Sequence, residues 1–192
     1  MARPKSEDKR NAILEAATRV FAERGLTAAP TSEISRRAGV ADGTLFTYFK
    51  TKDDLINALY CDIKLELADA MMSEFPRKKS VHTRVRHIWD RYVNWGVNNP
   101  GQRRVLAQLQ VSGVLSKESI EAGSAPFVEM QNMIRNAVEQ HILRAGLPIE
   151  LISKMMAASA EATRDLIVLK PAMANKYRNG GFEIYWAGIS RK

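Results

Sequence analysis

The stretch from Ile34 to Phe49 constrains this chain more than any other. Ile34 and Ala38 stand one helical turn apart, Gly39 follows where the backbone has to turn sharply, and Val40 plugs the junction. Leu45 and Phe49, at i and i+4, anchor a second short helix to the same core. Two short helices set at a steep angle by a glycine turn form a helix-turn-helix unit. Opposite that core, the second helix carries Gly43, Thr44, Thr47 and Tyr48. A bare glycine, small hydroxyls and a phenol suit close approach to a duplex, with donors and acceptors for phosphates and base edges. Arg36, Arg37, Lys50 and Lys52 surround the face with positive charge, the sequence-independent part of DNA affinity. An ordinary helical corner packed with small residues would use the same positions, so the stretch alone leaves both readings open.

Charge favours the first reading. The 192 residues hold 29 Lys/Arg against 21 Asp/Glu, a net +8. Nucleic acid is then the first partner to consider and a membrane surface the second. Residues 1–52 alone hold ten Lys/Arg and six Asp/Glu, half of the surplus in little over a quarter of the chain. At 45% apolar residues the chain can bury a substantial core. Cys61 is alone and His82, His87 and His141 lack metal-ligand spacing, so no disulfide, metal or cofactor is expected. The polar start, Met1 to Arg10, lacks the apolar core of a signal peptide, and no apolar run approaches the roughly 20 residues that span a bilayer. A soluble, cytoplasmic protein is expected.

Periodicity predicts helices throughout. Leu14, Ala17 and Phe21 recur at i, i+3, i+7 with Ile13 and Val20 beside them, giving a helix over about 7–24 with Gly25 past its end. Pro30-Thr31-Ser32 opens a second helix that runs to Ala38, and Asp42 begins a third that reaches about Phe49. Thr51-Lys52-Asp53-Asp54 is close to a capping box and starts a long fourth helix. Further breaks fall at Pro76 to Lys79, Asn98 to Gly101, Gly113 to Ser116, Gly146 to Pro148 and Pro171. Pro126 must kink or restart the seventh helix. No convincing period-2 strand, repeat or low-complexity stretch interrupts the pattern. The expectation is an all-α chain of about nine helices, with a head over 1–52 and a body over 53–192.

The run from Gly39 to Leu55, GVADGTLFTYFKTKDDL, resembles the signature of TetR/AcrR-family repressors. Ala2 to Lys9, Leu55 to Tyr60, Ile88-Trp89, Tyr92 to Asn98 and Gly181 to Glu183 with Trp186 are further similar to RamR-type regulators of multidrug efflux. The resemblance implies a repressor that binds palindromic double-stranded operator DNA, pairs as a homodimer and is released by a small-molecule effector. It marks Thr31, Ser32, Arg37, Ala41, Asp42, Gly43, Thr44, Phe46, Thr47, Tyr48 and Lys52 as candidate DNA-binding residues. Three departures stand out. Ala41 replaces the usual N-cap serine, Phe46 the usual recognition tyrosine, and Ala29-Pro30 displaces the hydroxyl pair that opens the second helix. The lost cap removes roughly 1 kcal/mol, partly offset by Asp42 in the positive first turn.

The resemblance places dimerisation on the last two helices. Phe182, Tyr185, Trp186 and Ile189 form an i, i+3, i+4, i+7 stripe, and Ala157 to Ala160 are small enough for close helix approach. The same two stripes describe an intramolecular core equally well. The candidate ligand-binding residues are Tyr60, Trp89, Tyr92, Phe127, Met130, Met133, Ile134, Ser153 and Met156, aromatics and adaptable methionines that suit planar apolar compounds, cationic ones included. Plain core is the competing reading for most of them. RamR-type regulators carry an aromatic where Met156 stands and an acid where Ser153 stands, so ligand preference is expected to differ.

An enzyme is the first rival function. No Gly-x-Ser-x-Gly, phosphate loop or His-Glu-x-x-His is present, and Glu161 with Asp165 around Arg164 reads as a solvated helix face. A basic amphipathic membrane binder is the second rival, and it would need a concentrated Lys/Arg face; Arg77-Lys78-Lys79 is only a short loop cluster.

Overall fold

Helix signals and stops dominate the sequence, and the backbone follows them closely. A computed structural model describes residues 6–191; the Ala2–Lys5 part of the resemblance lies outside the described residues. The described residues form ten α-helices: α1 (Glu7–Arg24), α2 (Thr31–Arg37), α3 (Asp42–Tyr48), α4 (Lys52–Met72), α5 (Val81–Asn98), α6 (Pro100–Ser112), α7 (Lys117–Ser124), α8 (Val128–Glu139), α9 (Ile149–Leu169) and α10 (Ala174–Ile189). The all-helical expectation holds. The seventh predicted helix is two, because Pro126 sits in a 3-10 turn, Ala125–Phe127, that separates α7 from α8. Pro100 opens α6 rather than extending a linker, since a helix's first residue needs no N–H partner. A single antiparallel bridge, Leu143 to Ser190, is the only β-type pairing among the described residues.

The described residues divide into two compact units, 6–65 with 99–124 and 66–98 with 125–191. All described residues of the expected head fall in the first. Its core is the apolar stripe of α1, with Ile13, Val20 and Phe21 fully buried, closed by Ile34, Leu45, Leu55 and Val105 from α2, α3, α4 and α6. α6 also satisfies the end of α1: Arg104 and Gln108 donate to the carbonyls of Ala22 and Phe21 at 3.2 and 3.3 Å. The capping box at α4 is formed in both directions, with the Thr51 N–H on Asp54 and the Asp54 N–H on Thr51 Oγ1, each 3.0 Å.

The second unit packs α5, α9 and α10 together, with α8 against α9. Trp89 is its centre. The indole is fully buried, lies 5.8 Å from the Tyr185 ring in a near-parallel stack, and donates from Nε1 to the Arg178 carbonyl at 3.0 Å.

Candidate nucleic-acid interface

The turn between α2 and α3 is built as the glycine demanded. Gly39 adopts φ +67°, in the left-handed region that side chains disfavour, and the Val40 N–H returns to the Ser35 carbonyl at 3.0 Å. Ser35 is 1% exposed and its hydroxyl donates to the Asp42 carboxylate. That bond joins the C-terminal half of α2 to the first turn of α3. It also places a carboxylate at a helix start whose N-cap, Ala41, has no side-chain oxygen.

The polar residues around α3 fall into two sets. Ser32, Arg36, Ala41, Asp42, Gly43, Phe46, Thr47 and Lys50 are exposed, and Thr31 and Thr44 are half-buried. Phe46 is 44% exposed. Its ring can meet a sugar or a thymine methyl and cannot hydrogen-bond a phosphate. Thr47 donates its hydroxyl back to the Gly43 carbonyl at 2.8 Å, leaving its oxygen free to accept.

Arg37, Tyr48 and Lys52 belong to the other set, although charge or the signature points each of them toward DNA. Arg37 donates from both terminal nitrogens to Glu23, at 2.9 and 2.6 Å, and from Nη2 to Glu33 at 2.6 Å. Glu33, 9% exposed, is also 2.6 Å from Arg24. Burial works to raise the Glu33 pKa, but the hydrogen bonds and charges of Arg37 and Arg24 outweigh it and hold the carboxyl below the usual range. The two glutamates in turn hold the Arg37 guanidinium above its ordinary value, through the Glu23 hydrogen bonds first. Tyr48 Oη accepts from the Ser6 N–H at 2.8 Å and lies 3.1 Å from the Ser6 carbonyl, tying α3 to the start of α1. Lys52 donates to the carbonyls of Thr27 and Ala29 at 3.1 and 2.7 Å and stands 5.9 Å above the Phe21 ring. These three groups hold the α1–α2 loop, α3 and α4 in register. Arg36 and Lys50 instead leave their charge in solvent.

The candidate ligand residues are divided between the units. Tyr60 lies in the first, its ring against Gly123, and burial pushes its phenol up. The other eight lie in the second. Trp89, Met130, Met133 and Ile134 are buried, Tyr92, Phe127 and Met156 are half-buried, and Ser153 is exposed. Trp89 is enclosed by Tyr185 and Phe182 and is a core residue in this arrangement.

The stripe expected between copies is buried within one chain instead. Phe182, Tyr185, Ile189 and Ala160 are at most 4% exposed, because α10 turns its large residues onto α5 and α9. Trp186 stacks on Phe182, with His82 edge-on at 4.8 Å, and Ala157 is half-buried. Solvent meets another face of α9, where Leu151, Met155, Ala158, Ala162, Leu166 and Leu169 recur at helical spacing. On α10 it meets Gly180, Ile184, Ala187 and Gly188. Ile184 is 76% exposed and Leu169 71%.

Glu161 and Asp165, read as a solvated helix face, are half-buried and exposed, whereas Arg164 between them is 2% exposed. The signal was Gly96, the small residue that lets it pass.

Among the described residues no helix is long and apolar enough to cross a membrane. Residues 13–59, from the core of α1 to the first turns of α4, match the family model for bacterial regulatory proteins of the tetR family. The chain is 21% identical over 154 residues to the fatty acid metabolism regulator protein of Bacillus subtilis strain 168, covering 79% of each. A crystal structure from Shewanella sp. PV-4, assigned to the tetR family of transcription regulators, is 25% identical. It superposes with a TM-score of 0.86 over 96% of this chain and 99% of that one. FadR from Bacillus subtilis, solved with stearoyl-CoA, shares the fold at 21% identity and a TM-score of 0.72, over 93% and 98% of the two chains. With the helix-turn-helix geometry of α2 and α3, the match gives residues 13–59 the DNA-binding domain of bacterial regulatory proteins of the tetR family, and the whole chain shares its fold with a solved structure assigned to that family.

Proposed function

We propose that the chain is a homodimeric repressor in the cytoplasm, that it binds a palindromic operator through the exposed face of α3, and that a small ligand taken up by the second unit releases it. The observation that carries the DNA reading is the exposed set Gly43, Phe46 and Thr47 on α3, with Arg36 and Lys50 beside it. A glycine admits the phosphate backbone closely, a ring and a hydroxyl reach base edges, and two free cations supply counterion-release affinity. Pairing uses the exposed apolar face of α9 and α10, whose small residues Ala158, Ala162, Gly180 and Gly188 allow close helix approach. Two copies then set their α3 helices about one DNA turn apart, roughly 34–36 Å.

Release by an apolar ligand is supported by the methionine-rich interior of the second unit, and a fold relative solved with stearoyl-CoA supplies a precedent for a long apolar ligand. Efflux genes as targets, and planar or cationic inducers, come from the RamR-type resemblance. Footprinting the protein on the DNA upstream of its own gene, with and without apolar compounds, tests this reading. A protected palindrome that opens on ligand addition is the expected result. Protection indifferent to every compound would remove the sensing half, and binding no tighter than to random duplex would remove the operator.

A further inference from the structure

Along α9, Met156, Ala160, Arg164 and Ile167 share one face. That face packs on α5. A guanidinium on such a face is costly to bury unless its N–H groups find acceptors. Nη2 of Arg164 donates to the Glu161 carboxylate. Nε and Nη1 are buried and have no hydrogen-bond partner. The Glu161 side chain is 47% exposed, so water screens much of its charge.

α5 is shaped to receive this group. A methyl at position 96 would overlap Arg164 Cδ and stand 2.8 Å from Nε, so only glycine leaves the space. The Tyr92 ring, one turn earlier on α5, lies 4.7 Å from the guanidinium carbon and covers its face. A methionine or leucine would fill the same volume without the penalty of vacant donors. Nothing in the packing of α5 against α9 requires a cation, and the two unused nitrogens are suited to a charged acceptor.

We infer that the second unit takes an amphipathic carboxylic acid, its carboxylate accepting from the vacant N–H groups of Arg164 and its hydrocarbon lying among the methionines of α8 and α9. This deepens the ligand-release reading and rests on it. It also narrows the ligand class, since a positive charge that stays buried beside Tyr92 disfavours a cationic compound.

The test uses the full chain and three probes of equal length: dodecanoic acid, dodecanol and dodecylamine, each below its micelle concentration. Trp89, Trp95 and Trp186 all lie in the second unit, so tryptophan fluorescence reports binding, with calorimetry as the second readout. The acid should bind about tenfold or more tightly than the alcohol, a charge-assisted hydrogen bond's effect, and the amine most weakly. Arg164→Met should erase the advantage of the acid while keeping affinity for the alcohol, and Arg164→Lys should restore part of it. If Arg164→Met fails to fold, Gly96→Ala, which displaces the guanidinium, should reduce the same ratio. Equal binding of acid and alcohol, preference for the amine, no binding of any probe, or an acid preference that survives these substitutions would overturn the assignment. Operator affinity is measured separately. An acid held through Arg164 that leaves operator binding unchanged would sink the release reading and leave this site standing.

Discussion

The head and the second unit treat the cations built into their folds in opposite ways. In the head, Arg24 and Arg37 converge on Glu33, and Lys52 rests on two backbone carbonyls, so the cations that hold the frame are satisfied. In the second unit Arg164 is more deeply buried than any of them and keeps two nitrogens without acceptors. A satisfied cation tells about folding, whereas an exposed or unsatisfied one tells about a partner. By that criterion we propose that Arg36 and Lys50 face DNA and that Arg164 faces a ligand.

The sharpest division to test is between the two faces of α9 and α10. Leu166→Glu places a charge on the exposed apolar face. It should leave the helical fold of the monomer intact by circular dichroism, give a monomer in sedimentation, and weaken operator binding about a hundredfold or more through loss of the paired half-site. Trp186→Glu strikes the stack on Phe182 and should lower stability by about 2–4 kcal/mol, whatever the assembly state. If both variants simply dissociate the dimer, the assignment of the faces is wrong.

Smaller effects separate reading from framing inside the head. Phe46→Ala and Thr47→Ala should each reduce discrimination between operator and random duplex by about 1–2 kcal/mol without moving the thermal midpoint. Lys52→Ala should do the reverse, losing about 1–2 kcal/mol of stability with its two carbonyl bonds and keeping sequence preference. Calorimetry beside competition binding distinguishes the two patterns.

The smallest effect is pH-dependent. The folded-state pKa of Glu33 lies below its ordinary 4.5, so its contribution is complete above that value and is lost as pH falls through the depressed one. Glu33→Gln should therefore flatten the acid limb of the stability curve and lower stability at neutral pH. An acid limb as steep as that of the parent would mean that Glu33 carries little of it.

Much of the fold was legible because its signals are local. Gly39, Pro100, Pro171 and the Thr51–Asp54 box each act within one or two turns, and each ended or began a helix where its chemistry requires. Only the extra break at Pro126 changed the helix count. The roles of polar residues were less legible, because they depend on partners far away in sequence. Nothing near Lys52 announces the carbonyls of Thr27 and Ala29, and nothing near Tyr48 announces Ser6. The stripe of Phe182, Tyr185 and Ile189 posed the same difficulty: a helix with two apolar faces does not say which one its own chain will cover. Arg164 was the hardest, since its burial depends on a glycine 68 positions earlier in the sequence.

The dependence of operator affinity on salt tests the central division most directly, measured in parallel for the parent, Arg36→Ala and Lys52→Ala on the footprinted duplex. Each cation that touches a phosphate contributes about one unit to the slope of log affinity against log salt. Arg36→Ala should reduce the slope by about one, and Lys52→Ala should leave it unchanged once the folded fraction is accounted for. A slope that falls for Lys52→Ala and holds for Arg36→Ala would contradict the division of the head into framing and reading residues.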